Sequence, residues 1–183
     1  MLVVVSAALR FAAARPVAVP WIAPDEPVYA LLGRSLWQDG SLRLLDGPTT
    51  YYSLVYPLLV GPPLLVHDLA LGIGLLQFVQ ALLMSATAAL VYVWAAPAAG
   101  RRWALVAATL SVAIPGLAYA GLVMTEAAAY PAVTLALLAL ARVLARPTLA
   151  GQALLAAACV LACSVRLQAV VLVPTVLAAG LLT

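Results

Sequence analysis

Long uncharged apolar stretches dominate the chain from residue 69 onwards. Five of them contain no charged residue: 69–100, 103–125, 127–141, 147–165 and 167–183. A helix needs about 20 mostly apolar residues, with a range of about 17–25, to cross the hydrocarbon core of a bilayer. The pattern therefore predicts five membrane-spanning helices, at about 70–95, 103–120, 127–144, 149–164 and 167–182.

An earlier apolar segment, before Pro16, predicts a first span and brings the total to six. Only nine residues precede Arg10, so this span is long enough only if the Arg10 side chain extends to an interface. No positively charged segment precedes the apolar residues, as it would in a secretory signal. Because the first span has no flank and the last has no polar tail, we expect the chain to be a fragment of a longer protein.

The region 20–68 is more polar and predicts an extracytoplasmic loop that carries surface helices. Asp25 or Glu26 begins the first of these, with apolar residues at helical spacing behind them, and Asp39-Gly40 ends it. The stretch 51–66 is interrupted by prolines, so we expect it to follow the interface or re-enter rather than to span. Together the segments predict one all-α transmembrane domain over residues 1–183.

Composition and charge agree with a membrane protein and orient it. Hydrophobic residues make up 67% of the chain and charged residues 8%, against about 45–50% and about 25% in soluble domains. By the alternation of spans, four arginines share one side without an acid: Arg101, Arg102, Arg142 and Arg146. The positive-inside rule makes that side cytoplasmic. The loop and all six acids then lie at the extracytoplasmic face of a multi-pass protein of the plasma (inner) membrane.

Other kinds of site are disfavoured. Cys159 and Cys163 lie four residues apart in an apolar run and are typical of helix packing, and His67 is the only histidine, so a zinc site or disulfide framework is not expected. The arginines are scattered, which disfavours binding to nucleic acid. No residue cluster with the spacing of metal ligands is evident.

Three acids are candidates for chemistry. Asp25 and Glu26 follow the first span, where one carboxylate could act as general base on an acceptor hydroxyl while the other orients it or contacts the donor. Glu126 begins an apolar span, where a charge is costly unless it faces a wet cavity or an interface. The alternative for all three acids is helix capping, which acids do routinely.

Two arginines and two tyrosines complete the candidate set. Arg166 lies between two apolar runs and could pair with a lipid phosphate, and Arg34 is a weaker candidate of the same kind. The alternative for Arg166 is a loop arginine that extends to the interface. Tyr52 and Tyr56 are most simply interfacial anchors, although some of these aromatics could line an acceptor groove.

The order of these features resembles the N-terminal half of the GT-C membrane glycosyltransferases, over essentially the whole chain. That superfamily includes protein O-mannosyltransferases, lipid A aminoarabinose transferases and actinobacterial arabinosyl or mannosyl transferases. The resemblance rests on an Asp-Glu pair after the first span, an aromatic-proline stretch at 52–57 and a later Glu at the head of a span. Four short phrases look actinobacterial: Arg102-Trp103-Ala104-Leu105, Ile114-Pro115-Gly116-Leu117, Met124-Thr125-Glu126 and Tyr130-Pro131.

The resemblance implies transfer of a sugar from a polyprenyl-phosphate donor to a hydroxyl on the extracytoplasmic side. By matching position it makes Asp25 the catalytic acid-base residue, Glu26 its neighbour in the motif and Glu126 the second-loop acid. A departing lipid phosphate needs a cation, either an arginine or a divalent metal ion. Two other functions stay open on the residues alone: a transporter or lipid flippase, and a non-catalytic membrane scaffold.

Overall fold

The computed structural model describes residues 1–17, 23–45, 47–49, 53–113 and 120–181. Helices in these ranges are α1 (Leu2–Ala14), α2 (Asp25–Asp39), α3 (Val55–Leu64), α4 (Leu69–Val112), α5 (Glu126–Ala145), α6 (Leu149–Val165) and α7 (Leu172–Leu181). A 3₁₀ helix, Leu167–Val171, joins α6 to α7, and β1 (Arg43–Leu44) pairs antiparallel with β2 (Gly47–Pro48). The predicted helical fold is confirmed, apart from this hairpin, which the sequence pattern did not indicate.

Two of the described helices, α4 and α5, are long and apolar enough to cross a membrane, and each contains an 18-residue stretch with a mean hydropathy of 1.8. The other apolar helices among the described residues are α1, α3, α6 and the segment Leu167–Leu181, which are shorter. The prediction of membrane-length helices is thus confirmed for two segments, and the arrangement of six spans stays a prediction.

Helix α4 contains the predicted turn between two apolar arms. Gly100 has φ 76° and ψ 164°, a conformation outside the helical region that glycine adopts without a Cβ penalty. Ala88 and Val112 belong to one packed cluster, although a straight helix would separate them by about 36 Å at 1.5 Å per residue. The chain therefore folds back on itself at Gly100. The second arm ends at Val112, and residues 114–119 of the predicted span lie outside the described residues.

Arg10 is buried in the bundle, so the condition under which the first segment would be long enough to span is not met. Its side chain is only 3% exposed, and it donates hydrogen bonds to Ser6 Oγ at 3.3 Å and to the carbonyl of Val112 at 2.7 Å. Val112 is the last residue of α4, where carbonyls lack a partner within the helix and a cation is favoured. The arginine therefore joins α1 to the end of α4.

The prolines of α3 do not interrupt it, contrary to the expectation. Pro57 lies in the first turn, where the missing N–H would have had no partner within the helix. Pro62 lies inside the helix and cannot donate to the carbonyl of Leu58. Trp37 Nε1 of α2 donates to that carbonyl instead, at 3.0 Å. A side chain from another helix thus supplies the hydrogen bond that the proline removes.

Helices α2 and α3 cross at two glycines, which brings their backbones close together. A Cβ on Gly61 would lie 2.6 Å from the carbonyl oxygen of Gly33, and a Cβ on Gly33 would lie 3.1 Å from the amide nitrogen of Gly61. No side chain fits between these backbones. The crossing fixes the position of α2 against α3.

Substitution of Gly61 by alanine should therefore destabilise the protein by about 1–3 kcal/mol, the usual cost of overpacking. The matched control is Gly180→Ala in α7, where a Cβ would have no atom within 4 Å and the helix gains up to about 1 kcal/mol from alanine. Thermal unfolding of both variants in detergent measures the difference. A Gly61→Ala protein as stable as the Gly180→Ala control would contradict the close crossing.

Small residues let the later helices pack closely. The main core cluster contains six alanines of α5 and α6: Ala128, Ala129, Ala132, Ala136, Ala158 and Ala162. Such residues allow close approach of helix backbones. Because α5 and α6 form a hairpin, the beginning of α5 and the end of α6 lie at the same end of the bundle.

Candidate functional site

The predicted acids and Arg166 meet at this end of the bundle. Asp25 and Glu26 are the first two residues of α2, Glu126 is the first residue of α5, and Arg166 follows the last residue of α6. Sequence analysis placed all four at the same face without showing that they approach one another. The fold brings their helix ends together.

Glu126 and Arg166 form an ion pair through Oε1 of the acid and Nη1 of the arginine. The pair is only partly shielded, since the side chain of Glu126 is 14% exposed and that of Arg166 is 35% exposed. Arg166 Nε also donates to Gln168 Oε1 at 3.3 Å. The alternative of a cap shared with Thr125 is not seen, because the Thr125 side chain makes no cap hydrogen bond.

The second carboxylate oxygen of Glu126, Oε2, takes no part in the ion pair. Oε2 is buried and has no hydrogen-bond partner within the described ranges. A buried acceptor without a partner costs about 1–3 kcal/mol, and more for a charged group. A hydroxyl or amide of a ligand that donated to Oε2 would remove this cost.

Glu26 is fully buried and engaged with the backbone. Its Oε1 accepts a hydrogen bond from the amide of Val123 at 2.8 Å, and its Oε2 accepts one from the amide of Ala23 at 2.9 Å. These bonds tie the start of α2 to the segment just before α5. Glu26 is thus held by the backbone, and Asp25 is the exposed member of the pair.

Tyr29 lies at the centre of the cluster, one turn along α2 from Asp25. It shares a hydrogen bond with the Thr125 side chain, and its ring packs edge-on against Tyr56, with centroids 5.1 Å apart. Burial, followed by the charge of Asp25, raises the pKa of the Tyr29 phenol, while the Thr125 hydrogen bond and Arg166 act in the opposite direction. Tyr29 was not among the predicted site residues, although its spacing of four from Asp25 places both on one helix face.

Two other predicted residues, Tyr56 and Arg34, lie differently from the expectation. Tyr56 is fully buried and donates to Gln80 Oε1 at 2.7 Å, so it is a core residue and not an interfacial anchor. Arg34 is exposed on α2 and forms no ion pair with the described residues, so it stands apart from the cluster. Tyr52 lies outside the described residues.

An apolar groove of about 420 Å³ is lined by residues on either side of Arg166 in the chain. Its lining includes Ser53 and Leu54 before α3, Cys159, Val160, Cys163 and Ser164 on α6, and Leu167 and Val173 beyond it. Ser53 is 4% exposed, and its Oγ has no hydrogen-bond partner within the described part of the chain. Ser164 and Leu167 are near neighbours of Arg166 in the chain, so a long apolar ligand in the groove would end close to the guanidinium.

The arrangement offers a set of groups suited to acid-base and anion chemistry: an exposed carboxylate, an arginine held by a second carboxylate, a protonated phenol and an apolar groove. Within the described residues no cluster of three or more His, Cys, Asp or Glu side chains is present that could hold a metal ion. No family model, curated protein or solved structure matches this chain.

Proposed function

We propose that this chain is a multi-span membrane glycosyltransferase, or the N-terminal part of one. It moves a sugar from a polyprenyl-phosphate donor to an acceptor hydroxyl at the extracytoplasmic face of the plasma (inner) membrane. The observation that carries the proposal is the grouping of Asp25, Glu126 and Arg166 around Tyr29, beside an apolar groove.

The distribution of polarity supports the membrane part of the proposal. Polar side chains lie inside the bundle, where Gln77 is 2% exposed and Gln80 is 1% exposed. Large apolar side chains lie outside, where Leu110, Val160 and Leu177 are each more than 60% exposed. A soluble protein rarely exposes so much apolar surface to water. In a bilayer the same surface would be in contact with apolar lipid chains.

Asp25 is the general base in the proposed reaction. The acceptor hydroxyl gives its proton to the Asp25 carboxylate while its oxygen forms a bond to the anomeric carbon of the sugar. The bond from that carbon to the phosphate oxygen breaks, and polyprenyl phosphate leaves with the electron pair. The attack comes from the side opposite the phosphate, so the anomeric configuration inverts.

Arg166 and Glu126 have complementary roles in this scheme. The leaving phosphate gains one negative charge as the bond breaks, and a guanidinium at this point stabilises that charge. Nη2 of Arg166 makes no hydrogen bond to any described residue and can donate to a phosphate oxygen. Glu126 holds the guanidinium through Oε1, and its Oε2 accepts a hydrogen bond from a sugar hydroxyl.

The groove beside Arg166 suits the polyprenyl chain. Its lining is almost entirely apolar, so it buries an isoprenoid tail at a gain of roughly 25 cal/mol per Å² removed from water. The Ser53 hydroxyl lies in the same wall. The tail in the groove would hold the phosphate near Arg166.

The two cysteines test donor binding directly, because they are the only cysteines of the chain and both line the groove. We expect polyprenyl phosphate to slow the labelling of Cys159 and Cys163 by N-ethylmaleimide several-fold. Single-cysteine variants made with Cys159→Ser and Cys163→Ser separate the two sites. Mass spectrometry of the labelled protein gives the rates.

The control for this labelling is Leu110→Cys in a cysteine-free background, at an exposed position on the second arm of α4. Its labelling should not change with the donor. Polyprenol without the phosphate should protect the groove cysteines less than polyprenyl phosphate does. Equal protection at residue 110 and in the groove would contradict the proposed donor site.

Catalysis is tested with the purified chain in liposomes that contain polyprenyl-phosphate hexoses or pentoses labelled in the sugar. The expected result is transfer of label to a glycan acceptor added outside, dependent on Arg166. Movement of the labelled lipid between leaflets without transfer would overturn the proposal in favour of a flippase. No binding and no transfer with any donor would favour a scaffold.

A further inference from the structure

A second groove, on the far side of α4 from α5, combines an apolar wall with a cation. It has a volume of about 440 Å³ and lies between α1 and α4. Its lining consists of Phe11, Arg15, Ala70, Leu71, Gly74, Leu75 and Phe78. None of these residues belongs to the cluster around Tyr29.

Arg15 lies across α4 because Gly74 has no side chain. A Cβ on Gly74 would lie 2.8 Å from Arg15 Nη1, so any larger residue would displace the guanidinium. The guanidinium carbon of Arg15 is also 5.8 Å from the centroid of the Phe11 ring. These contacts hold the charge at one level of the groove while the side chain stays exposed.

The wall one helical turn away from this charge is aromatic. Phe11 lies in α1, four residues before Arg15, and Phe78 lies in α4, four residues after Gly74. Each ring is therefore about one helical turn away from the level of the charge. The two rings pack edge-on, with centroids 5.8 Å apart. Leu71 and Phe78 are 55% and 46% exposed, so the wall is open to lipid.

The charge of Arg15 is not balanced by the residues described. The ion pair found among them is that of Glu126 and Arg166. The nearest acid in the sequence of α4 is its N-cap, Asp68, whose Oδ1 accepts hydrogen bonds from the amides of Ala70 and Leu71. The groove therefore presents a positive charge at one level and an apolar surface next to it.

We infer that this groove binds an anionic phospholipid, with its phosphodiester on Arg15 and one acyl chain along Phe11, Leu75 and Phe78. A charge next to an apolar wall complements a lipid whose phosphate lies one glycerol unit away from its acyl chains. The guanidinium donates two hydrogen bonds to phosphate in a planar fork. The inference uses only the membrane location in the proposed function, and not the transfer of sugar.

Native mass spectrometry of the full chain released from detergent micelles tests this site. The probe is palmitoyl-oleoyl phosphatidylglycerol, with phosphatidylcholine of the same chains as the zwitterionic arm. We expect one phosphatidylglycerol to bind more tightly than phosphatidylcholine. Arg15→Gln should weaken that binding about tenfold, which equals about 1.4 kcal/mol, and Phe78→Ala should weaken it through the apolar wall.

Arg102→Gln is the matched control, since Arg102 is also an exposed arginine but lies at the Gly100 turn. It should change the binding less than twofold. Equal losses for Arg15→Gln and Arg102→Gln, or unchanged binding in Arg15→Gln, would overturn the inference. Displacement of the lipid by millimolar glycerol 3-phosphate would also overturn it, because the site would then recognise phosphate alone.

The result is independent of the proposed reaction. The Asp25→Asn variant should bind phosphatidylglycerol as the unmodified chain does, because Asp25 is not part of this groove. If sugar transfer is never detected while Arg15-dependent lipid binding is, the proposed function fails and the lipid site stands. If transfer is found and Arg15→Gln has no effect on lipid binding, the reverse holds.

Discussion

Replacement of Asp25 by asparagine should lower kcat for sugar transfer by about 10²–10⁴-fold, the usual contribution of a general base. Asparagine keeps the size of the side chain but cannot take the proton of the acceptor hydroxyl. The side chain is exposed and caps no helix by a hydrogen bond, so folding should be unchanged. Initial rates with a labelled polyprenyl-phosphate sugar measure the loss, and the melting temperature checks the fold.

Asp39→Asn is the matched control, because Asp39 is an exposed acid at the other end of the same helix. It removes the same charge and should leave kcat within about twofold. Asp25→Glu keeps the carboxylate and should retain part of the activity. Equal rates for the Asp25→Asn and Asp39→Asn variants would remove Asp25 from the mechanism.

Replacement of Glu26 by alanine should lower the free energy of unfolding by about 3 kcal/mol or more. The side chain accepts hydrogen bonds from the amides of Ala23 and Val123, and each bond to a charged group contributes about 1.5–3 kcal/mol. Alanine would leave both amides without this acceptor. Unfolding of the protein in mixed micelles by increasing fractions of denaturing detergent measures the change.

Glu26→Gln separates the loss of charge from the loss of both bonds. The amide oxygen of glutamine can accept one of the two hydrogen bonds, but its NH₂ group would face the other amide N–H. We therefore expect a stability between those of the unmodified chain and Glu26→Ala. Asp39→Ala serves as the surface control. A Glu26→Ala protein as stable as this control would show that the two bonds contribute little.

Local signals in the sequence were sufficient to predict most helix boundaries. Asp39-Gly40 ends α2, with Gly40 in the left-handed conformation at φ 68°, and Arg146-Pro147 separates α5 from α6 as predicted. These signals depend on one or two residues and their own backbone angles. They therefore appear in the sequence without knowledge of any distant contact.

Errors occurred where a distant residue supplies the deciding interaction. Pro62 predicts a break, but the Trp37 side chain of another helix supplies a donor to the carbonyl that the proline leaves. A first span of sufficient length required Arg10 at an interface, but the carbonyl of Val112, 102 residues away, accepts its hydrogen bond inside the bundle. No periodicity or spacing in the chain indicates such partners.

The candidate site was predicted in the same uneven way. The acids and Arg166 were expected at one face from the alternation of helices alone. The family resemblance named Asp25 as the base, but the residues alone could not separate Asp25 from Glu26, because a helix start leaves open which of two adjacent acids faces the protein. The amide of Val123 holds Glu26 on the buried side, and it lies 97 residues away in the chain.

The ion pair of Glu126 and Arg166 also affects how the hairpin of α5 and α6 opens. The loop of Arg146, Pro147 and Thr148 connects α5 and α6 at one end, and the ion pair joins them at the other. A hairpin fastened at both ends opens as one cooperative unit and not by fraying from a terminus. The first amides of α5 that have partners within the helix should therefore exchange their hydrogens about as slowly as the amides in the middle of the helix.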